Sequence, residues 1–145
     1  MPHRSILEEA RARQVIIIPP TTTIRDVARI MRDHHVGSVV VARDGKVIEG
    51  ICTERDVLIR CVAHGLDPDA STVREIMTVH PETADPSDSV QEVLRHMVAA
   101  GVRHMPVSDR EGHAIGIVSM RDFVGREVEE MERDRAFAQH VAEVI

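Results

Sequence analysis

At 145 residues the chain has the length of one ordinary domain, and a compact fold of that size withdraws roughly 68–70% of its unfolded surface from water. The 43% apolar and 29% charged content excludes disordered and fibrous classes. A net charge of −6 and only two aromatics, Phe123 and Phe137, argue against a basic, base-stacking nucleic-acid surface, so any base held here would lie on aliphatic side chains.

Met1, Pro2, His3 and Arg4, with Glu8 and Glu9 beyond, lack the apolar core of a signal peptide. The apolar runs, such as residues 15–18, fall far short of the ~20 residues of a spanning helix. A cytoplasmic protein without a membrane partner is expected. Residues 15–18 form a short predicted strand. Thr23, with Asp26 three residues on, opens a helix whose Ile24, Val27, Ala28 and Met31 recur at helical spacing. Two β-rich runs follow, residues 38–42 and 47–52, with Asp44 and Gly45 as the turn between them. A second helix starts after Thr53, carries Val57, Leu58, Cys61 and Val62, and stops near Gly65, with Pro68 beyond. Cys52 and Cys61 match no disulfide or metal spacing and read as small buried apolar residues.

Residues 64–71 are a connector, and a short strand is expected around Thr83. Ser89 and Glu92 make a capping box ahead of Val90, Val93, Leu94 and Met97. Strands at 104–108 and 114–118 flank a turn at Glu111 and Gly112, and a last helix after Ser119 runs through Val124, Val128 and Met131. Its acidic run of Glu127, Glu129, Glu130 and Glu132 reads as a solvated face. The apolar stripe, with Phe137 and Val141 beyond, has a second reading as the cover of a partner subunit.

These elements occur twice. A shift of 66 positions lays residues 5–58 over 71–124 without a gap, and twelve of the 54 pairs are identical. Average composition gives roughly three by chance. The order in each copy is β-α-β-β-α, an α/β unit too small to bury its open sheet face alone, which two copies packed about a pseudo-twofold axis would cover. Among the identical pairs, Gly50/Gly116, Arg55/Arg121 and Asp56/Asp122 carry no evident packing role.

The chemistry centres on Gly50, Ile51, Cys52, Thr53, Glu54, Arg55, Asp56 and on Gly116, Ile117, Val118, Ser119, Met120, Arg121, Asp122. In each, a strand ends at a hydroxyl residue and a helix begins with Arg and Asp in its first turn. Free backbone N–H groups and the dipole at a helix start suit a phosphate, held with the hydroxyl and the Arg, while an acceptor-only carboxylate suits adjacent sugar hydroxyls. Thr-x-x-Asp and Ser-x-x-Asp are equally good helix caps. Capping alone gives Arg55 and Arg121 no role, because an Arg at a helix start opposes the dipole.

The paired G-h-x-[ST]-x-x-D segments, with Gly101, Val102, Arg103, His104, Met105, Pro106 and Val107 ahead of the second, resemble the tandem CBS (cystathionine β-synthase) domain family, or Bateman module. The resemblance covers nearly all of residues 5–130. It implies a CBS-pair fold with repeats at 5–65 and 71–130, a C-terminal helical extension at 131–145, two clefts for adenosyl ligands (AMP, ADP, ATP, NAD or S-adenosylmethionine), common dimerisation, and regulation of a partner protein without catalysis. Thr53 and Ser119 would hold phosphate, with Arg55 and Arg121 beside them; Asp56 and Asp122 would hold ribose. Ser38 and Thr83 line the two sites, and Val102, His104, Met105 and Pro106 would form the adenine slot. The first copy departs from the pattern, with His35 and Val40 where the second has Gly101 and Pro106. The alternatives are a ligand-free interaction scaffold, in which the Thr and Asp pairs are only caps, and a metal-dependent hydrolase. Histidines scattered without ligand spacing speak against the metal-dependent hydrolase, and the lack of a G-x-S-x-G elbow against a Ser-His-Asp one.

Overall fold

The computed structural model describes residues 5–11, 14–121 and 135–144. In chain order these form α1 (Ile6–Arg11), β1 (Ile17–Ile18), α2 (Ile24–His34), β2 (Ser38–Val41), β3 (Gly50–Thr53) and α3 (Glu54–Asp56), which continues as a π-helix (Val57–Val62). A 3-10 turn (Val73–Glu75), β4 (Thr78–Val79), α4 (Val90–Ala100), β5 (His104–Ser108), β6 (Ala114–Ser119) and α5 (Arg135–Val144) follow. The fold is mixed α/β, as the repeat pattern predicts. Among the described residues no helix is long and apolar enough to cross a membrane.

The duplication is visible bond by bond. Helices α2 and α4 are both eleven residues long and begin 66 positions apart. Thr23 Oγ1 accepts the Asp26 N–H and Ser89 Oγ accepts that of Glu92, each meeting an N–H that the first helical turn leaves without a partner. Both helices end in a left-handed residue, His35 at φ 54° and Gly101 at φ 70°. The next amide then folds back, Val36 to the Met31 carbonyl and Val102 to that of Met97, both at 3.0 Å. This is the closed cap that glycine favours and that histidine adopts here at a conformational cost.

The chain folds as two compact units that exchange their leading segments: one is Val15–Glu82 with Ser108–Ala114, the other Met1–Gln14, Thr83–Val107 and Ile115–Ile145. In the first unit a sheet runs β1-β2-β3-β4, with β1 parallel to β2 and the remaining pairs antiparallel. Its core joins Ile24, Val27 and Met31 of α2 to Val39, Val41, Cys52 and Cys61, and to Val73, Ile76 and Met77, so the connector expected at 64–71 runs on through these residues in the structure. The connector is tied down where Val73 N–H donates to the Thr22 carbonyl at 2.8 Å and Ile24 N–H to that of Ser71 at 3.0 Å. In the second unit, Val90, Val93, Leu94 and Met97 of α4 pack with Met105, Val107, Val118 and Met120, closed by Ile6 and Ala10 of α1 and Val141 of α5. Val141 thus packs in this chain's own core. Val124, Val128 and Met131 lie outside the described residues.

Several expected elements change shape for local reasons. The strand expected at 15–18 is confined to Ile17–Ile18, and that around Thr83 is a single parallel bridge, Ala84 to Val107. In the first copy Val40 N–H donates to the Ile16 carbonyl at 2.9 Å; Pro106, its counterpart, has no N–H to give, so the second ladder stops one bond short. The strand expected at 47–52 begins only at Gly50, because Ile48 N–H turns to the Gly112 carbonyl and Glu49 caps the Arg43 amide with its side chain. After Asp56 the helix winds with i to i−5 bonds, Ala63 to Leu58 at 2.9 Å and Leu66 to Cys61 at 3.0 Å. Only Val57 and Cys61 of its expected stripe turn toward the core, while Leu58 and Val62 are 62% and 66% exposed, next to Ile59 at 52%.

The glycine pair also has a packing explanation that sequence reasoning missed. A Cβ on Gly50 would stand 2.6 Å from Met77 Sδ and 2.9 Å from the Thr78 carbonyl; one on Gly116 would stand 2.5 Å from Ala10 Cβ. Each glycine lets an exchanged leading segment cross a strand at close range.

Candidate functional site

The β2–β3 register sets Ser38 directly opposite Thr53 at the end of the strand pair. The junction is locked from the next residue, where Glu54 N–H donates to the Gly37 carbonyl at 2.9 Å. The second copy repeats this bond 66 residues on, Met120 N–H to the Arg103 carbonyl at 2.8 Å. Ser119 therefore sits beside His104, as Thr53 sits beside Ser38.

Thr53 and Asp56 form a reciprocal cap. Asp56 N–H donates to Thr53 Oγ1 at 3.3 Å, and Asp56 Oδ2 accepts the Thr53 N–H at 2.9 Å. The other carboxylate oxygen, Oδ1, lies 3.6 Å from Arg60 Nε. Arg55, one residue before Asp56, is exposed. The geometry gathers Ser38, Thr53 and Asp56 within one unit, with Arg60 as a fourth member that sequence reasoning left out. A signal for it existed: Arg126 stands 66 residues on, just beyond the compared register.

In the other unit, Met105 and Pro106 are buried, and Val102 and His104 are half-buried on the approach to β5 and at its start. Thr83, half-buried, precedes the Ala84 amide that donates to the Pro106 carbonyl at 2.9 Å. Ser119 is half-buried and Arg121 exposed; Asp122 lies outside the described residues. The contrast drawn from His35 against Gly101 does not reach the backbone, since both adopt the same left-handed cap. Val40 against Pro106 does, through the missing N–H.

Both thiols are buried. Burial, aided by the nearby Asp56 carboxylate, pushes the Cys52 thiol up to about 12, leaving no thiolate for chemistry near neutrality. Among the described residues no three His, Cys, Asp or Glu side chains converge as a metal site.

Comparison with known proteins fixes the family, because the CBS domain model matches residues 7–62 and 73–129. The chain belongs to the CBS domain family. It is 40% identical over 120 residues to an uncharacterized protein of Methanopyrus kandleri, covering 83% of this chain and 61% of that one, so it spans less than two thirds of that relative. It is 30% identical over 118 residues to the CBS domain-containing protein YhcV of Bacillus subtilis, covering 81% and 82% of the two chains. A CBS domain protein of Pyrobaculum aerophilum, solved in complex with AMP, superposes with a TM-score of 0.79 at 31% identity, covering 89% of this chain and 97% of that one.

Proposed function

We propose that this CBS pair is a regulatory module without catalytic activity that binds an adenosyl ligand, one of AMP, ADP, ATP, NAD or S-adenosylmethionine, and relays its occupancy to a partner protein. The observation that carries the reading is the strand-end cluster, where Ser38 stands opposite Thr53 in the strand register and Thr53 is bonded reciprocally to Asp56. Such a set suits a phosphate and a vicinal diol. The AMP complex of the Pyrobaculum relative supports the ligand class. In the second repeat the counterparts are Ser119, Arg121 and Asp122, with Thr83, Val102, His104 and Pro106 as base-facing residues and Met105 packed behind them in the core; in the first, Arg55 joins Thr53 at the phosphate.

Ligand binding changes the output by its differential affinity for two arrangements of the chain. Self-association as a homodimer belongs to the proposal, supported by the exposed Leu58, Ile59 and Val62 on one helix. Replacing Leu58 and Val62 by Glu is expected to halve the mass measured by light scattering.

Thermal unfolding with the five ligands tests the reading. At 100 times its dissociation constant a ligand stabilises by about 2.7 kcal/mol, a rise of roughly 5–10 °C for a chain of this size. Asp56→Ala and Asp122→Ala are each expected to remove the contribution of one site. A shift that survives both together overturns the ribose assignment. The scaffold reading is favoured by one observation, that the Thr53–Asp56 cap is complete without any ligand, and it predicts no shift with any of the five.

A further inference from the structure

We infer that Arg60 is the positioning residue of the first nucleotide site, fixing the Asp56 carboxylate for ribose hydroxyls and tying it to the segment that opens the second repeat; this rests on the proposed ribose role of Asp56. The two oxygens of Asp56 are used differently. Oδ2 is committed to the Thr53 amide at 2.9 Å. Oδ1 faces Arg60 Nε at 3.6 Å, close enough for ion pairing and too long for a hydrogen bond, so it keeps its lone pairs for an incoming hydroxyl. Without the guanidinium, rotation about the carboxylate's terminal bond is restrained on one side only.

Arg60 is itself held from the far end. Its Nη1 donates to the carbonyls of Ile76 at 3.1 Å and Met77 at 3.3 Å, just after the 3-10 turn. These two residues are buried in the same core, and Met77 is the one that crosses Gly50. The planar fork thus spans from a ligand-facing carboxylate to backbone that leads into β4 and on toward Thr83, a task a lysine, with one compact charge, performs only in part. The recurrence of the step in the second copy, Asp122 to Arg126, is a separate indication that the spacing matters, since a solvated arginine on one helix would have no reason to recur in register.

Calorimetry of AMP and 2′-deoxy-AMP tests the inference in the full chain carrying Asp122→Ala, so that only the first site is read. AMP is expected to bind more tightly than 2′-deoxy-AMP, and Asp56→Asn to abolish that preference. Arg60→Gln is expected to weaken AMP about tenfold and 2′-deoxy-AMP less than about twofold, with Arg60→Lys between wild type and Gln. AMP should also slow amide exchange at residues 76–79 with Arg60 present and not with Gln. Equal weakening of both nucleotides, or an unchanged preference, overturns the positioning role and leaves Arg60 as a mere support of the connector. Absence of AMP binding in the Asp122→Ala chain, or binding that Asp56→Asn leaves intact, removes the ribose reading itself before any Arg60 variant is made, and the Arg60 inference falls with it.

Discussion

Replacing Gly116 by Ala tests the packing explanation of the repeated motif. In the absence of a clash, Gly→Ala at an ordinary strand position stabilises by about 0.4–1 kcal/mol, because the unfolded chain loses freedom. Neither Gly50 nor Gly116 has positive φ, so backbone strain does not enter. The new methyl on Gly116 would stand 2.5 Å from Ala10 Cβ and 3.1 Å from the Ala10 carbonyl oxygen. Neither atom can swing away without moving α1. Overpacking of this kind costs about 1–3 kcal/mol. We expect a net loss of about 1.3 kcal/mol and a melting point lower by about 3–5 °C, measured without nucleotide. Gly50→Ala should fall in the same direction, since Met77 Sδ can swing aside but the Thr78 backbone carbonyl at 2.9 Å cannot. Adding Ala10→Gly to Gly116→Ala removes the closest contact, so a double-mutant cycle should return a favourable coupling of about 0.5–1.5 kcal/mol. An Ala variant that melts at or above the wild-type temperature would refute the crossing of α1 over β6. A nucleotide affinity lost with unchanged stability would assign the glycine to the ligand instead.

Ile6 is fully buried although it lies close to the N-terminus, so Ile6→Ala should cost about 2–5 kcal/mol in chemical denaturation, as should Ile76→Ala in the reciprocal segment; a loss below about 1 kcal/mol at Ile6 would show that the exchange is dispensable. His35→Gly should stabilise by about 1 kcal/mol, because His35 is exposed and left-handed where the second copy uses Gly101; a loss would reveal a contact made by the imidazole. Cys52 titrates near 9 when unfolded and at about 12 when folded. Above pH 9 the unfolded chain therefore releases this proton first, and stability falls with a slope approaching ~1.4 kcal/mol per pH unit. The stability advantage of wild type over Cys52→Ala should narrow from pH 9 upward, and a constant difference would contradict the raised thiol.

Local order was legible where one short-range rule decides it. The capping pairs at Thr23 and Ser89, the helical stripes behind them and the strand at residues 104–108 follow from period and cap chemistry alone. What escaped was set by partners distant in sequence. β4 forms because the connector lands on β3, and β3 is short because Gly112 claims the Ile48 amide. No window around Thr78 or Val47 contains that information. The glycine pair misled for the same reason, since the groups that exclude a methyl lie at Ala10 and Met77.

The same logic separates the two senses of symmetry in this chain. The sequence repeat runs 5–58 against 71–124, but the folded units cut across it, each closing its core with the other copy's leading segment. Neither repeat could be excised with its core intact: residues 5–58 alone would lack Val73, Ile76 and Met77, and residues 71–124 alone would lack Ile6 and Ala10. A displacement of the segment around Ile76 and Met77 would therefore act on the core of the first unit and, through Arg60, on the Asp56 carboxylate. Exchange of the leading segments makes the core of each unit depend on residues from both copies.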